Sequence, residues 1–327
     1  MKKVLFLSKG ETASSTRYRA LQFIPLLSEA GFKVEHACIA GKGGTKFLHA
    51  LIKAASVDVV VVLRKTLPFP LLWLLRSVSR QMVFDFDDAI FCNTDGSASN
   101  TRMERFSMMV RTCDHVFAGN DFLLKNATIF NSSVTLLPTC LDLGRYSNEA
   151  AKPERSFDLV WIGSKSTKKY LVEVLPSLRL AAKRVSGLRL KVIADFDLPD
   201  AGFPVLAIPW DAATEVGELA SSHIGIAPMM RNDDWSRGKC ALKILQYMAV
   251  GLPVISSAVG VNAEVVESGC NGYLVTNDVE WCDRIVELAS NDDLRTRMGR
   301  EGRKKVLAGY SLVSVFLRMR SVFDQLT

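Results

Sequence analysis

The sequence predicts an α/β protein built from two doubly wound, Rossmann-like domains. Three observations predict this. Short apolar runs rich in β-branched residues alternate with helix-like stretches along nearly the whole chain. Runs such as residues 59–63 (VVVVL) are apolar without alternation, as strands covered on both faces of a parallel sheet are. The pattern pauses once, at residues 142–157 (DLGRYSNEAAKPERSF), a polar stretch holding Gly144 and Pro153 that reads as a linker. A chain of 327 residues has room for two ordinary domains.

In the first half, strands are predicted at residues 4–7, 34–37, 58–63, 82–86, 115–118 and 134–137, with helices near 16–30, 45–55, 70–78, 101–112 and 121–129. After the pause, strands are predicted at 159–162, 188–194, 205–208, 224–227 and 254–256. Helices are expected there near 169–185, 213–221, 239–249, 263–268, 279–289 and 292–307, and a last one over 311–326. The halves read as two copies of one architecture: a first domain over 1–141, the linker 142–157, a second domain over 158–310, and a closing helix over 311–327. Ligands of such sheets bind outside the carboxyl ends of the strands, so the loops after strands are where chemistry is expected.

Bulk composition narrows the function. Hydrophobic residues make up 48% and charged residues 23%, a globular balance that excludes disorder. No apolar run reaches the roughly 18–20 residues of a membrane helix. The first run, 4–7, is too short for a signal-peptide core. A cytoplasmic protein is expected. The seven cysteines form no C-x-x-C pair, which disfavours a zinc site or a disulfide framework. The net charge is +7, and it is concentrated early: residues 1–148 hold 18 Lys and Arg against 12 Asp and Glu. A basic half suits an anionic lipid surface, a phosphorylated acceptor or nucleic acid. No helix–turn–helix, zinc-finger or aromatic RNA-binding signature accompanies it, so no nucleic-acid partner is expected. The apolar stretch 68–76 (PFPLLWLLR) reads as a helix packed on the sheet or as a peripheral membrane contact at the inner face of the membrane. No histidine stands out as catalytic. No strand is followed by G-x-G-x-x-G, which disfavours a nicotinamide dehydrogenase.

Two segments read as anion sites. Gly163, Ser164, Lys165, Ser166, Thr167, Lys168 and Lys169 follow a strand and open a helix, offering a glycine, hydroxyls, amides and three lysines. An ordinary capped helix start would look the same. The second runs from Arg237 through Gly238 and Lys239 to Gln246. On a helix over 239–249, Lys239, Lys243 and Gln246 share one face. Lysines oppose the dipole at a helix start, and a bound anion would reverse that cost. A third cluster, Asp85, Asp87 and Asp88, ends a strand. It reads as an Asx turn with a helix cap, or as carboxylates that hydrogen-bond the hydroxyls of a ligand. A divalent metal is the alternative its carboxylates raise.

Residues 239–275 (KCALKILQYMAVGLPVISSAVGVNAEVVESGCNGYLV) resemble the donor-binding domain of the group 1 family of retaining glycosyltransferases, which have the GT-B fold of two Rossmann-like domains facing across a cleft. The likeness continues through Trp281, Arg295, Met298, Gly299 and Arg303 to Tyr310, Ser311 and Leu312. In the first half, Thr16, Arg17, Tyr18 and Arg19, the run 84–91 (FDFDDAIF), and Ala118, Gly119 and Asn120 are similar to motifs of one subgroup. The resemblance implies transfer of a sugar from a nucleotide-diphosphate donor to a glycan or lipid-linked acceptor, with retention, in cell-surface polysaccharide synthesis. It implies no cofactor and no required metal. Lys243 would contact the donor diphosphate, with Gly163, Ser164, Ser166 and Thr167 near the same phosphates. Gly260, Val261 and Asn262 would present backbone donors to the phosphate or sugar, Glu264 would face the same cleft, and the closing helix over 311–327 would pack back on the first domain. Arg17, Arg19, Asp85, Asp87 and Asn120 would lie on the acceptor side.

One departure stands out. Many family members carry two glutamates separated by seven residues, where this chain has Gly238 and Gln246. Gln246 can still hydrogen-bond a ribose hydroxyl. Asp233, Asp234 and Arg237 are the candidates for the contact that Gly238 cannot make. Charge building on the departing diphosphate is best met by fixed cations, for which Arg237, Lys239, Lys243 and Arg17 are the candidates. Lys243, Arg237 and Asp88 are thus the expected catalytic residues. A sugar-nucleotide epimerase and a non-catalytic nucleotide-sugar-binding subunit are the rival readings.

Overall fold

The computed structural model describes residues 1–40, 44–146, 150–198, 200–229 and 233–326. They form two units, each built on a six-stranded, all-parallel sheet. The first unit comprises Met1–Cys140, Asp233–Cys240 and Leu312–Thr327, and the second Leu141–Asn232 and Ala241–Ser311.

The first sheet contains β1 (Lys3–Ser8), β2 (Lys33–Cys38), β3 (Val59–Leu63), β4 (Gln81–Phe86), β5 (His115–Ala118) and β6 (Val134–Leu136), in the order β2-β1-β3-β4-β5-β6. Its helices are α1 (Ser14–Arg19), α2 (Ile24–Glu29), α3 (Thr45–Ala54), α4 (Phe69–Val78), α5 (Asn100–Thr112) and α6 (Asp121–Thr128). Successive strand residues point to opposite faces. Val4, Phe6, Val59 and Val61 therefore enter one core, with Phe23 and Leu27. Leu5, Leu7, Val60 and Val62 enter the other, with Ala50, Leu72, Leu75 and Phe106. Double coverage explains why these strands carry no polar alternation.

The second sheet contains β7 (Phe157–Ile162), β8 (Leu188–Ala194), β9 (Val205–Pro209), β10 (Ile224–Ala227), β11 (Val254–Ser257) and β12 (Gly272–Val275), in the order β12-β11-β10-β7-β8-β9. Its helices are α7 (Lys168–Arg184), α8 (Glu215–Ala220), α10 (Leu242–Ala249), α11 (Asn262–Val265), α12 (Asp278–Ser290) and α13 (Asp292–Gly309), while α9 (Asp234–Arg237) and α14 (Leu312–Gln325) belong to the first unit. The last of these buries Val315, Met319 and Phe323 against the core of Val4 and Phe6. Phe323 meets Phe32 and Phe117 at ring-centroid distances of 6.2 and 6.0 Å.

Several expectations require correction. The helix expected over 16–30 is split into α1, a 3-10 turn at Leu21–Phe23 and α2. Ala20 leaves the helical region at φ −133°, and Pro25, without an N–H, sits in the first turn of α2. The helix expected over 239–249 is interrupted, because Ala241 adopts a left-handed φ of 52° and α10 begins after it. Lys239 therefore shares no helix face with Lys243. The strand β12, not anticipated, pairs with β11 from Val254↔Gly272 to Ser257↔Val275. Its Gly272 lets the strands approach, since a Cβ there would lie 2.2 Å from the Val254 carbonyl oxygen. The stretch 142–157 is not a separate tether: its described residues belong to the second unit, where Arg303 donates to the Tyr146 carbonyl at 3.1 Å.

Candidate functional site

In the second sheet the strand order reverses between β7 and β10, since β7, β8 and β9 run outward one way and β10, β11 and β12 the other. These two strands pair only at Ile224↔Leu159 and Gly225↔Val160. Beyond that they part, and the Tyr247 hydroxyl bridges them, accepting from the Ile162 N–H at 3.0 Å and donating to the Ile226 carbonyl at 3.3 Å. Gly225 makes room for the Tyr247 ring, which a Cβ would meet at 2.3 Å. Such an opening is where ligands of doubly wound sheets bind.

The loop leaving β7 at this opening is Gly163–Thr167, as the sequence placed it. Gly163 lies against Trp161: a Cβ there would fall 2.4 Å from the indole edge and 2.8 Å from Thr167 Oγ1. Lys243, in the first turn of α10, holds its ammonium 4.5 Å from the centre of the same indole. The structure therefore brings Lys243 and Gly163 together around one buried tryptophan. Ser164 and Thr167 cap the turn reciprocally, and Ser164 Oγ lies 3.0 Å from Ser166 Oγ. The amides of Lys165 and Ser166 make no hydrogen bond among the described residues, whereas that of Gly163 is taken by Ile193.

The loop after β11 holds Gly260, in the left-handed region at φ 52°, followed by Val261 and α11. Among the described residues the Gly260 and Val261 amides make no backbone hydrogen bond, but the Asn262 amide donates to Val259, and its side chain is committed to Ser256 Oγ at 2.8 Å. Of the three expected backbone donors, two are open. Glu264 is exposed on α11, and its carbonyl accepts from Lys305.

Gln246 departs from expectation. It is buried, and its amide donates to Glu215 Oε1 at 3.3 Å and to the Tyr146 hydroxyl at 3.4 Å. Glu215 in turn accepts from Trp210 Nε1 at 2.7 Å. The packing of α8 on α10 places this side chain in a buried network.

In the first unit, the acidic strand end of β4 is a cluster of ion pairs. Asp85 and Arg19 are both buried and paired through Asp85 Oδ1, with Arg19 also donating to the Leu137 carbonyl at 2.7 Å. Burial raises the Asp85 carboxyl to about 6 against the pull of Arg19. Neither side chain reaches a surface, so their expected acceptor-side position is replaced by a place in the core. Asp88 is clamped between the guanidinium of Arg64 and the ammonium of Lys239, the latter at 2.8 Å. Arg64 also lies 3.6 Å from Asp87. Burial first, and Arg64 second, bring Lys239 down to about 8. Lys239 further lies 4.2 Å from the Trp235 ring centre.

The segment Asp233–Cys240, expected in the second domain, is thus part of the first unit. Asn120 seats it, donating to the carbonyls of Arg237 and Lys239 at 3.1 and 3.0 Å while its own oxygen caps α6. This occupies the side chain expected to serve an acceptor. Gly238 packs on the acidic turn so closely that a Cβ would sit 2.6 Å from the Ala89 nitrogen. Asp233 caps α9 through Trp235 and Ser236, and Arg237 stacks 4.3 Å over Phe122 and pairs with Asp234 at 3.3 Å. Arg17 lies half-buried over Tyr18, 5.2 Å from its ring centre. Sequence reasoning missed Arg64, whose only signal is a charge closing an apolar strand, and also Glu215 and Trp210.

Residues 156–291 match the family described as "Glycosyl transferases group 1". An 83-residue stretch is 35% identical to spore coat protein SA of Bacillus subtilis (strain 168), covering 24% of this chain and 22% of that protein's length. Similar solved structures are a sucrose-phosphate synthase from Thermosynechococcus elongatus (TM-score 0.72, covering 100% of this chain and 99% of that one), HepE of Anabaena in complex with UDP and glucose (0.74, 99% and 100%), and a glycosyltransferase from Rickettsia africae (0.77, 99% and 98%). Each is 14% identical, and the likeness is one of fold. It agrees with the two parallel six-stranded sheets that GT-B proteins share. Over residues 156–291, then, the chain is similar to the group 1 glycosyltransferases.

Proposed function

We propose that this protein transfers a sugar, with retention, from a nucleotide-diphosphate donor to a hydroxyl of a glycan or lipid-linked acceptor, in the synthesis of a cell-surface polysaccharide. The observation that carries this reading is the convergence of Lys243, Gly163 and the open amides of Lys165 and Ser166 at the reversal of the second sheet. A cation and outward amides there suit a diphosphate. As the glycosidic bond breaks, negative charge grows on the departing group, and fixed donors stabilise that charge more than the ground state. Lys243 and the loop amides are assigned this role, with the amides of Gly260 and Val261 beside the donor. No metal is invoked, because the lysine supplies the positive charge. UDP is the first nucleotide to try, given that HepE was solved with it.

On the acceptor side we assign Asp88 to positioning rather than proton abstraction. A carboxylate held by two cations is a weak base, and its evident effect is to hold Arg64 and Lys239. We further propose that the enzyme works at the inner face of the membrane. The exposed apolar residues of α4 support that placement.

Replacing Lys243 by Ala is expected to lower kcat about a hundred- to a thousand-fold, equivalent to about 2.7–4 kcal/mol of transition-state stabilisation. Release of nucleotide in the presence of acceptor measures it, and unchanged turnover overturns the assignment. Conversion of the donor sugar without any acceptor would instead favour the epimerase reading.

A further inference from the structure

The first sheet has its own reversal, between β1 and β3, because β2 lies on one side of β1 and β3 to β6 on the other. The carboxyl ends of these two neighbours carry Lys9 on one and Arg64 and Lys65 on the other. Lys239 joins them through Asp88. Asp85 is paired with Arg19 in the core, the two remaining carboxylates, Asp87 and Asp88, are held by Arg64 and Lys239, and Lys9 lies near Arg64, Lys65 and Asp87, so four cations gather about two carboxylates.

Two features indicate that the excess charge is built rather than incidental. Arg64 holds a left-handed φ of 56°, a strained backbone for an arginine, with its N–H bonded to the Asp85 carbonyl at 2.6 Å. Lys65 is tied to the Ile39 carbonyl at 3.0 Å. Lys9 lies near enough to Arg64 and Lys65 that both, after burial, lower its affinity for a proton. Like charges held together repel one another, and an anion among them relieves that repulsion.

We propose that the opening between β1 and β3 binds a phosphate or diphosphate group carried by the acceptor, gripped by Lys9, Arg64 and Lys65. This rests on the transferase reading above and names the class of its acceptor: a phosphorylated one. The same chemistry could be presented by a soluble sugar phosphate or by a lipid-linked diphosphate.

The test uses the full chain saturated with UDP, so that the donor site is filled, and titrates inorganic pyrophosphate by calorimetry. Pyrophosphate is expected to bind, and the double variant Lys9→Ala/Lys65→Ala is expected to weaken that binding at least about tenfold (about 1.4 kcal/mol) while UDP affinity stays within about twofold. No binding to the UDP-saturated protein, or equal binding by the double variant, overturns the proposal. Failure of UDP itself to bind counts against the donor reading alone, and the comparison between wild type and double variant then still decides this one. Parallel titrations with glucose 1-phosphate and with dodecyl diphosphate distinguish the sources, the tighter ligand identifying the soluble or the lipid-borne anion.

Discussion

At the scale of single residues, the site divides into side chains whose roles follow from their neighbours in sequence and side chains whose roles do not. Gly163 and Lys243 were legible: one follows an apolar strand, the other opens a helix, and both positions are fixed by local pattern. Arg64 was not, because a left-handed arginine looks like any charge that ends a strand. Gly238 stands where the resemblance leads one to expect a glutamate, and its contact with the Ala89 backbone shows why no side chain fits there. Lys239 and Asn120 were misassigned for one reason: their partners lie more than a hundred residues away along the chain. A stability prediction also belongs here. His223 is buried against Phe157, its Nδ1 accepts the Asp158 N–H at 3.0 Å, and burial, then Lys152 and Arg295, lower the imidazole to about 4. The folded state thus favours neutral His223. That contribution is full above the unfolded value of about 6.5 and is lost as the pH falls through about 4. It amounts to about 3 kcal/mol between about pH 7 and pH 4. Urea unfolding of wild type and His223→Gln across that range should show the difference between them shrinking by this amount. A constant difference would contradict it.

At the scale of elements, buried parallel strands were the most legible part, since double coverage imposes a continuous apolar run. β12 escaped because it is short and opens on a glycine. The break between α9 and α10 escaped because it depends on Ala241 in a conformation that alanine does not advertise. The reading of α4 as a surface element has a physical counterpart. Leu72 and Leu75 face the core, while Phe69, Trp73 and Leu74 are exposed. The adjacent α3 exposes Leu48 and Ile52, and the adjacent α5 exposes Arg102, Arg105 and Arg111. Aromatic and aliphatic groups flanked by arginines suit the boundary of an anionic bilayer. Co-sedimentation with vesicles containing phosphatidylglycerol is therefore expected for wild type and sharply reduced for Phe69→Glu/Trp73→Glu. Equal partition of the two proteins would remove α4 from the membrane.

At the scale of the whole molecule, each unit is assembled from separated stretches of chain. The core shared by Val4, Phe6 and Val61 is completed by Val315, Met319 and Phe323. Large side chains buried in this way are each worth about 1.5–3 kcal/mol. A chain ending at residue 311 should accordingly unfold its first unit at much lower urea while the second persists. Hydrogen exchange resolved by peptide would show deprotection of β1 and β3 with β7 and β8 still slow. Uniform protection would refute this dependence on α14.

That last helix bears on how the protein is made. During synthesis an emerging domain ordinarily folds before the one behind it. Here the first sheet leaves the ribosome early with Phe23 and Leu27 to cover it, but the part of its covering layer that Val315, Met319 and Phe323 supply follows only after about three hundred residues, so the later-made sheet can settle first. In the interval, the apolar face that Phe323 will occupy is open to chaperones and to other nascent chains. Completion of the first unit's core then waits on synthesis of Leu312–Gln325 rather than of the opening strands.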